Sequence, residues 1–153
     1  MKLLEQLRSI VDQNEERAAK AKCIVQLIRA SGPYRWVGIY DVDLGQGTVS
    51  NISWDGPNAP AFPKFPTSKG LTSRAILQKR TVNVGDVAND VSYLTALDST
   101  RSEIIVPVLD GVDAVVVGTI DVESERLDAF DASAQSLLEE CARVLKTFWT
   151  QRV

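Results

Sequence analysis

Residues 101–124 read RSEIIVPVLDGVDAVVVGTIDVES, two apolar β-branched runs separated by a polar break, DG at 110–111. This pattern is typical of two antiparallel strands joined by a short loop. Carboxylates stand at the outer ends of the runs, Glu103 on the first and Asp121 and Glu123 on the second. The hairpin is therefore the predicted centre of the fold, and it carries three acids.

Alternation along each strand separates two faces, because successive side chains of a strand point to opposite sides. One face of the second strand is apolar and the other ends in acids: Ala114, Val116, Gly118, Ile120 and Val122 against Val115, Val117, Thr119, Asp121 and Glu123. In the first strand, the corresponding sets are Ile104, Val106 and Val108 against Glu103, Ile105 and Pro107. If the apolar sets share one core face, the loop holds an odd number of residues. A three-residue loop places Glu103 opposite Thr119, and a five-residue loop places it opposite Asp121.

Three carboxylates on one partly buried face repel each other unless a cation, a hydrogen-bond donor or a proton compensates them. One interpretation places them at solvated strand ends or pairs them with Arg101 and Arg74. The other interpretation is a pocket for a cationic group. Alternation alone leaves both open.

The composition favours one globular domain spanning residues 1–153, because 44% of the residues are hydrophobic and no linker-like segment divides the chain. The net charge is −3 and the basic residues are scattered, which argues against nucleic acid or an anionic membrane as partner. No apolar run approaches roughly 20 residues, and the charged N-terminus does not resemble a signal peptide. We expect a cytoplasmic protein.

The chain has no histidine and two cysteines, Cys23 and Cys141. Both cysteines fall in predicted helices and are interpreted as packing residues. No CxxC pair or other metal-ligand spacing is present, so the sequence assigns no metal site and no cofactor.

The segments before the hairpin alternate between helix and strand. Residues 1–31 have apolar residues at helical spacing and predict one long helix or two, ended by Ser31-Gly32-Pro33. Residues 34–42 predict a strand whose Trp36, Gly38 and Tyr40 share a face, with Gly38 leaving a gap between two aromatic rings. Residues 48–54 predict its hairpin partner.

The remaining segments complete an α+β pattern. Residues 55–69 hold four of the six prolines and predict an irregular lid. Residues 70–80 predict a short helix, whose first-turn amides at Gly70 to Thr72 can hold an anion, and residues 81–84 a short strand. The last helix begins after the N-cap Asp131, with an apolar stripe formed by Ala134, Leu137, Leu138, Cys141, Leu145 and Phe148.

Six motifs in this order resemble a GAF domain over nearly the whole chain: RWVGIY at 35–40, KGLTSRAI at 69–76, TVNVGDV at 81–87, SEIIVPV at 102–108, GTIDVES at 118–124 and Phe130-Asp131. Within that superfamily the sequence looks most like the free methionine-(R)-sulfoxide reductases. The resemblance implies an antiparallel sheet of about six strands, with N- and C-terminal helices on one face and a ligand pocket on the other. It also implies a homodimer formed through the terminal helices.

In the reductases, a Trp and a Tyr of the first strand and three acids of the central hairpin surround the substrate. The matching residues here are Trp36, Tyr40, Glu103, Asp121 and Glu123, and the last departs from the family's Asp. The resemblance thus selects the same face as the alternation does.

The family's thiols are absent from the matching positions, which hold Phe62, Thr72 and Ala96. Sulfoxide reduction requires an attacking thiolate and a resolving thiol. The sequence therefore predicts no enzyme activity. Motifs for cyclic nucleotides and a pocket cysteine for a bilin are not visible either.

Three functions remain open. The preferred one is a non-catalytic, sensor-type domain that binds a small cationic or zwitterionic molecule such as an amine, a guanidinium compound or an amino acid, with Trp36, Tyr40, Gly70, Thr72 and the three acids as ligand-binding residues. The second is an enzyme, either a reductase that uses Cys23 and Cys141 or an acid/base catalyst. The third is a dimerising interaction module with a vestigial pocket.

Overall fold

The computed structural model describes residues 2–93 and 99–151. Its elements follow the chain as α1 (Lys2–Asp12), α2 (Arg17–Ala30), β1 (Trp36–Asp43), β2 (Thr48–Asp55), β3 (Lys64–Pro66), α3 (Gly70–Gln78), β4 (Val82–Val84), a 3-10 turn (Val87–Asn89), β5 (Ser102–Asp110), β6 (Val115–Ser124), α4 (Ala132–Val144) and α5 (Lys146–Thr150). The six strands form one antiparallel sheet in the order β3-β2-β1-β6-β5-β4. The predicted α+β class and the six-stranded sheet are confirmed.

The four terminal helices cover one face of this sheet. Leu7 of α1, Ile24 of α2 and Leu138 of α4 pack against strand residues such as Val37 and Ile120, all of them fully buried or nearly so. The helices form because apolar residues recur at helical spacing, and α4 begins where the Asp131 carboxylate accepts the Ala134 N–H at 2.8 Å. The predicted N-cap and the two-helix interpretation of residues 1–31 are confirmed.

The Pro-rich segment contains one regular element, the three-residue edge strand β3. Proline lacks an amide hydrogen and is tolerated at a sheet edge, which explains why the strand occurs there. Residues 56–63 lie between β2 and β3 outside any strand or helix. Among the described residues, no helix has the length and apolar content needed to cross a bilayer.

The register of the central hairpin differs from the prediction. Glu103 pairs with Glu123, and the loop is residues 111–114, an even number. The register shifts between Val108 and Leu109, which pair with Gly118 and Val116, so that Val117 is an extra residue in β6. This bulge restores the parity that an even loop breaks, because each bulge adds one residue to one strand.

The bulge also reassigns one side chain. Val116 was predicted on the core face with Gly118, but it packs with Trp36 and Tyr40 on the opposite face. Gly118 keeps the predicted face, where the Trp149 indole lies against it in the space that a Cβ would fill. Alternation therefore holds along β6 only on the acidic side of the bulge.

The C-terminal helix is also interrupted, at Leu145 between α4 and α5. The interruption directs Trp149 onto the sheet, where its Nε1 donates a hydrogen bond to the Tyr40 carbonyl at 3.0 Å. Cys141 is buried in this helical layer, as expected, whereas Cys23 is exposed, so its interpretation as a packing residue is wrong.

Candidate functional site

The acids of the central hairpin lie on the sheet face opposite the terminal helices. Cross-strand pairing sets Glu103 beside Glu123 and Ile105 beside Asp121. On the other side of β6, Trp36 pairs with Glu123 and Gly38 with Asp121. Residues that pair directly and share a face are about 4.5–5.5 Å apart at Cβ, which forces the carboxylates together.

The three carboxylates are buried: Glu103 is 3%, Asp121 7% and Glu123 0% exposed. Each offers an oxygen, and these oxygens lie within 4.8 Å of one another. The interpretation as solvated strand ends is therefore wrong.

The alternative interpretation, pairing with arginine, is not observed within residues 2–93 and 99–151 either. Arg74 instead forms an ion pair with Asp90. The ion pairs formed among residues 2–93 and 99–151 include none of the three acids.

Neutral donors satisfy only part of the acidic cluster. Thr100 Oγ1 donates to Glu123 Oε1 at 2.6 Å, and the Tyr93 hydroxyl donates to the same oxygen at 3.2 Å. Asp121 Oδ1 and Glu123 Oε2 are buried and have no hydrogen-bond partner among the described residues. Thr119 Oγ1, on the same face, is also buried and without a partner among those residues. Most buried polar atoms in proteins are paired, so these oxygens mark a place that requires an explanation.

Burial raises the pKa of all three acids, and repulsion from neighbouring carboxylates adds to the shift of Glu103 and Glu123. The pKa of Glu103 lies well above its usual range because of burial and then the charges of Asp121 and Glu123. Burial raises the pKa of Asp121 to about 6, although a hydrogen bond with Glu103 opposes the shift. Burial and the Asp121 charge raise the pKa of Glu123 to about 8. The raised pKa values show that this face favours the protonated, uncharged forms of its acids unless a cation compensates them.

A cavity opens next to these acids. Its walls combine the sheet, the first turn of α3 and the Pro-rich segment: Tyr40, Pro60, Phe62, Phe65, Gly70, Leu71, Thr72, Glu103, Ile105 and Asp121. Its volume is about 30 Å³, room for about two water molecules. The face thus combines ionisable walls with a small cavity.

The predicted binding residues divide into two groups. Tyr40, Gly70, Thr72, Glu103 and Asp121 line the cavity, whereas Trp36 and Glu123 do not. Glu123 still belongs to the acidic cluster, through the oxygen that lies close to those of its neighbours.

Trp36 has a supporting position instead. The residue is fully buried, and its indole covers Gly38 and Gly56 where a Cβ at either position would clash with it. Its Nε1 donates to the Asn58 carbonyl at 3.0 Å. The gap predicted at Gly38 is therefore filled by Trp36 itself, which anchors the start of the Pro-rich segment.

The first turn of α3 forms part of the cavity wall through Gly70, Leu71 and Thr72. Its N-cap residue, Lys69, makes no side-chain capping bond, so the amides that follow it have no cap from that side chain. Gly70, with φ of 72°, adopts the left-handed conformation that favours glycine. A helix N-terminus attracts a negative group, so the cavity wall includes both acidic side chains and a helix end that favours an anion.

Two of the three residues that the resemblance places at thiol positions lie in the described part of the chain. Phe62 and Thr72 line the cavity, and Ala96 lies outside the described residues. Cys141 is buried in the helical layer on the other face of the sheet, and burial raises the pKa of its thiol to about 12. Neither Cys23 nor Cys141 lines the cavity.

Sequence reasoning missed two partners of Glu123, the hydroxyls of Thr100 and Tyr93. Both residues precede β5 in a polar connection without a periodic pattern, so no spacing signal identifies them. It also missed Leu71 and Ile105 as cavity walls, because an apolar residue there is indistinguishable from an ordinary core residue.

Comparisons with known proteins agree with this architecture, although no family model matches the sequence. GAF domain-containing protein A of Dictyostelium discoideum is 24% identical over 143 residues, which cover 94% of this chain and 87% of that protein. The free methionine-R-sulfoxide reductase of Saccharomyces cerevisiae is 28% identical over 112 residues, 72% of this chain and 60% of that protein.

A solved structure agrees over almost the full length. The free methionine-R-sulfoxide reductase of Neisseria meningitidis, in complex with its substrate, superposes with a TM-score of 0.85 at 28% identity and covers 97% of this chain and 86% of that one. The chain has the GAF fold. It is closely similar, in sequence and in structure, to free methionine-R-sulfoxide reductases.

Proposed function

We propose that the chain is a non-catalytic, small-molecule-binding GAF domain whose pocket takes an amine, a guanidinium compound or an amino acid. One observation carries the proposal: Asp121 on the cavity wall has a buried carboxylate oxygen that no described residue hydrogen-bonds, beside two further buried acids. A cationic ligand would neutralise this cluster and donate hydrogen bonds to the free oxygens. Tyr40, also on the wall, offers an aromatic face for cation-π contact.

The first turn of α3 supports a ligand that carries both charges. Gly70 to Thr72 line the same cavity as Glu103 and Asp121, and the amides of a helix N-terminus suit a carboxylate. A zwitterion such as an amino acid would place its ammonium group at Asp121 and its carboxylate at this turn. A simple amine would use the acidic end alone.

Binding of such a ligand requires the lid to move, because a cavity of about 30 Å³ is too small for it. The Pro-rich segment is held at Asn58 by the Trp36 N–H and at Pro63, whose carbonyl accepts the Asn51 N–H at 2.7 Å. Pro60 and Phe62 lie between these anchors and cover the cavity. Outward movement of residues 59–62 would admit the ligand and leave both anchors in place.

The non-catalytic part of the proposal rests on the thiols. Phe62 and Thr72 stand on the cavity wall where the reductase resemblance expects cysteines, and Cys23 and Cys141 are on α2 and α4. Without a thiolate next to the ligand, sulfur reduction has no nucleophile. We expect no turnover of free methionine sulfoxide with a thiol reductant, and turnover abolished by Cys23→Ser or Cys141→Ser would contradict this.

The binding proposal is tested with a thermal-unfolding panel of amino acids, methionine sulfoxide, polyamines and guanidino compounds, followed by calorimetric titration of any compound that stabilises. A ligand at about 100 times its Kd adds about 2.7 kcal/mol to the unfolding free energy. Asp121→Asn should weaken binding by about 10- to 100-fold, because a charge-assisted hydrogen bond is lost.

Asp128→Asn is the matched control for that variant. Asp128 is exposed and adopts a left-handed conformation that Asn tolerates, so the variant should bind like the wild type. Equal binding by the Asp121→Asn and Asp128→Asn variants would overturn the pocket assignment.

A further inference from the structure

We infer that Glu103, Asp121 and Glu123 also form a binding site for a hard divalent cation of the size of Ca²⁺. One oxygen from each side chain lies within 4.8 Å of the others. Glu103 and Glu123 are paired across β5 and β6, so the strand register fixes their separation. No ligand-spacing motif identifies this site, since the three acids come from two strands.

The second observation is the state of the oxygens. Asp121 Oδ1 and Glu123 Oε2 are buried and unpartnered among the described residues, and their side chains are 7% and 0% exposed. Asp121 lines the cavity, so its free oxygen belongs to a side chain at the open space. A buried carboxylate oxygen without a donor is compensated by a cation more strongly than by any neutral group.

The donor set selects the kind of ion. The candidate ligands are carboxylate oxygens, which favour Ca²⁺, Mg²⁺ or Mn²⁺, whereas the nitrogen and sulfur ligands preferred by Zn²⁺ and Cu²⁺ are absent from the cavity wall. Ca²⁺ lies about 2.3–2.6 Å from its ligands, so the oxygens around it are up to about 5 Å apart. Mg²⁺ requires about 2.0–2.1 Å and retains several waters. The observed spacing and the small cavity favour Ca²⁺ over Mg²⁺.

The size of the cavity separates an ion from an organic ligand. A volume of about 30 Å³ accepts one ion or about two waters while Pro60 and Phe62 remain in place. A metal ion therefore fits the cavity with residues 59–62 in their observed position, whereas an amine of several heavy atoms requires these residues to move.

Two hydroxyls prepare Glu123 for this role. Tyr93 and Thr100 both donate to Oε1, which orients the carboxylate and leaves Oε2 for the ion. Such second-layer hydrogen bonds fix the orientation of metal-binding carboxylates. Loss of the Thr100 hydroxyl should weaken binding of the ion without removing a ligand.

The inference uses the same carboxylates as the proposed function but does not depend on it. Ca²⁺ and an organic cation would compete for the free oxygens of Asp121 and Glu123. If Ca²⁺ fails to bind while an amine binds, only the metal inference is wrong. If neither binds, the proposed function fails as well.

The experiment is calorimetric titration of chelator-treated, full-length protein with CaCl₂ in mildly alkaline buffer, with MgCl₂ in a parallel titration. We expect one Ca²⁺ per chain, and Mg²⁺ binding at least tenfold weaker. Asp121→Asn and Glu123→Gln should each weaken Ca²⁺ binding at least tenfold. Thr100→Val should weaken the binding by a smaller factor, and Asp128→Asn should leave the affinity unchanged. Circular dichroism checks that the variants are folded.

Two results would overturn the inference. The first is the absence of a heat of binding and of any Ca²⁺-dependent rise in Tm for the wild-type protein, a result that does not depend on any variant. The second is Ca²⁺ binding that Asp121→Asn and Glu123→Gln leave unchanged, which would place the ion on surface acids.

Discussion

The two faces of the same sheet are built on different principles. The helix-covered face buries side chains such as Val37, Ile120 and Leu138 in a continuous apolar layer. The opposite face buries Glu103, Asp121 and Glu123 beside a cavity, and two of their oxygens have no hydrogen-bond partner in the part of the chain that the structure describes. The first arrangement stabilises the fold, because apolar burial contributes about 25 cal/mol per Å². The second arrangement lowers the free energy of unfolding, because buried carboxylates are costly until a cation or a proton compensates them.

A single β-strand serves both faces. In β6, Ile120 and Val122 point into the helical layer while Asp121 and Glu123 point to the acidic cluster. The apolar residues hold the strand in place, so the acids cannot separate to relieve their repulsion. Apolar packing on one face therefore keeps the carboxylates of the other face close together despite their repulsion.

The largest expected effect is on the apolar face. Leu138→Ala should lower the unfolding free energy by about 2–5 kcal/mol, because Leu138 is fully buried and its removal leaves a cavity. Denaturant unfolding measures the change. Leu77→Ala is the control, since Leu77 is 79% exposed and its loss should change stability by less than about 0.5 kcal/mol. Equal losses in both variants would refute the assignment of the stabilising core to this face.

The second effect is the pH dependence of the acidic face. The pKa of Glu123 is about 8 in the folded protein against 4.5 in the unfolded chain, so the folded state binds more protons between these values. The stability that protonation of Glu123 contributes is fully present below the pKa of the unfolded chain and is lost as the pH rises through the pKa of the folded protein. From about pH 6 to about pH 9, the chelator-treated protein should lose about 2–3 kcal/mol of unfolding free energy.

Glu123→Gln isolates this effect, because the amide keeps the shape and cannot ionise. The variant should unfold with a flatter pH profile, measured by denaturant titration at several pH values. Glu140→Gln, on the exposed side of α4, is the matched substitution and should keep the wild-type slope. A slope unchanged by Glu123→Gln would show that this carboxyl is not the titrating group.

The smallest effect concerns the thiols. Cys23 is exposed and Cys141 is buried with a pKa of about 12, so a thiol reagent at neutral pH should modify one cysteine in the folded protein and both in denaturant. Cys23→Ser should change stability by less than about 0.5 kcal/mol. Rapid modification of two thiols in the folded protein would place Cys141 outside the apolar layer.

Much of this contrast could be predicted from the sequence. Alternation placed Glu103 and Asp121 on one face and Ile104 and Ile120 on the other, because the two-residue period of a strand is a property of the backbone. The order of elements and the resemblance to GAF domains anticipated the sheet and its helices. These predictions depend on local sequence patterns, which reflect backbone geometry and therefore hold in the folded protein.

The sequence could not show features that depend on long-range packing. The bulge at Val117 changed the hairpin register, and nothing in a run of valines identifies which one is extra. The indole of Trp36 fills the space over Gly38, and Trp149 reaches the sheet through the break at Leu145. Each is decided by how distant segments fit together, which no single-strand pattern encodes.

The acidic face buries three carboxyls that no basic side chain of residues 2–93 and 99–151 pairs with. Carbon-13 NMR of protein labelled at the Asp and Glu carboxyl carbons, titrated in the presence of a chelator, measures this directly. We expect Asp121 to titrate near pH 6 and Glu123 near pH 8, with Glu103 also above the usual range of a glutamate. If all three carboxyls titrate like exposed acids, at about pH 4, the acidic face is solvated and the account is wrong.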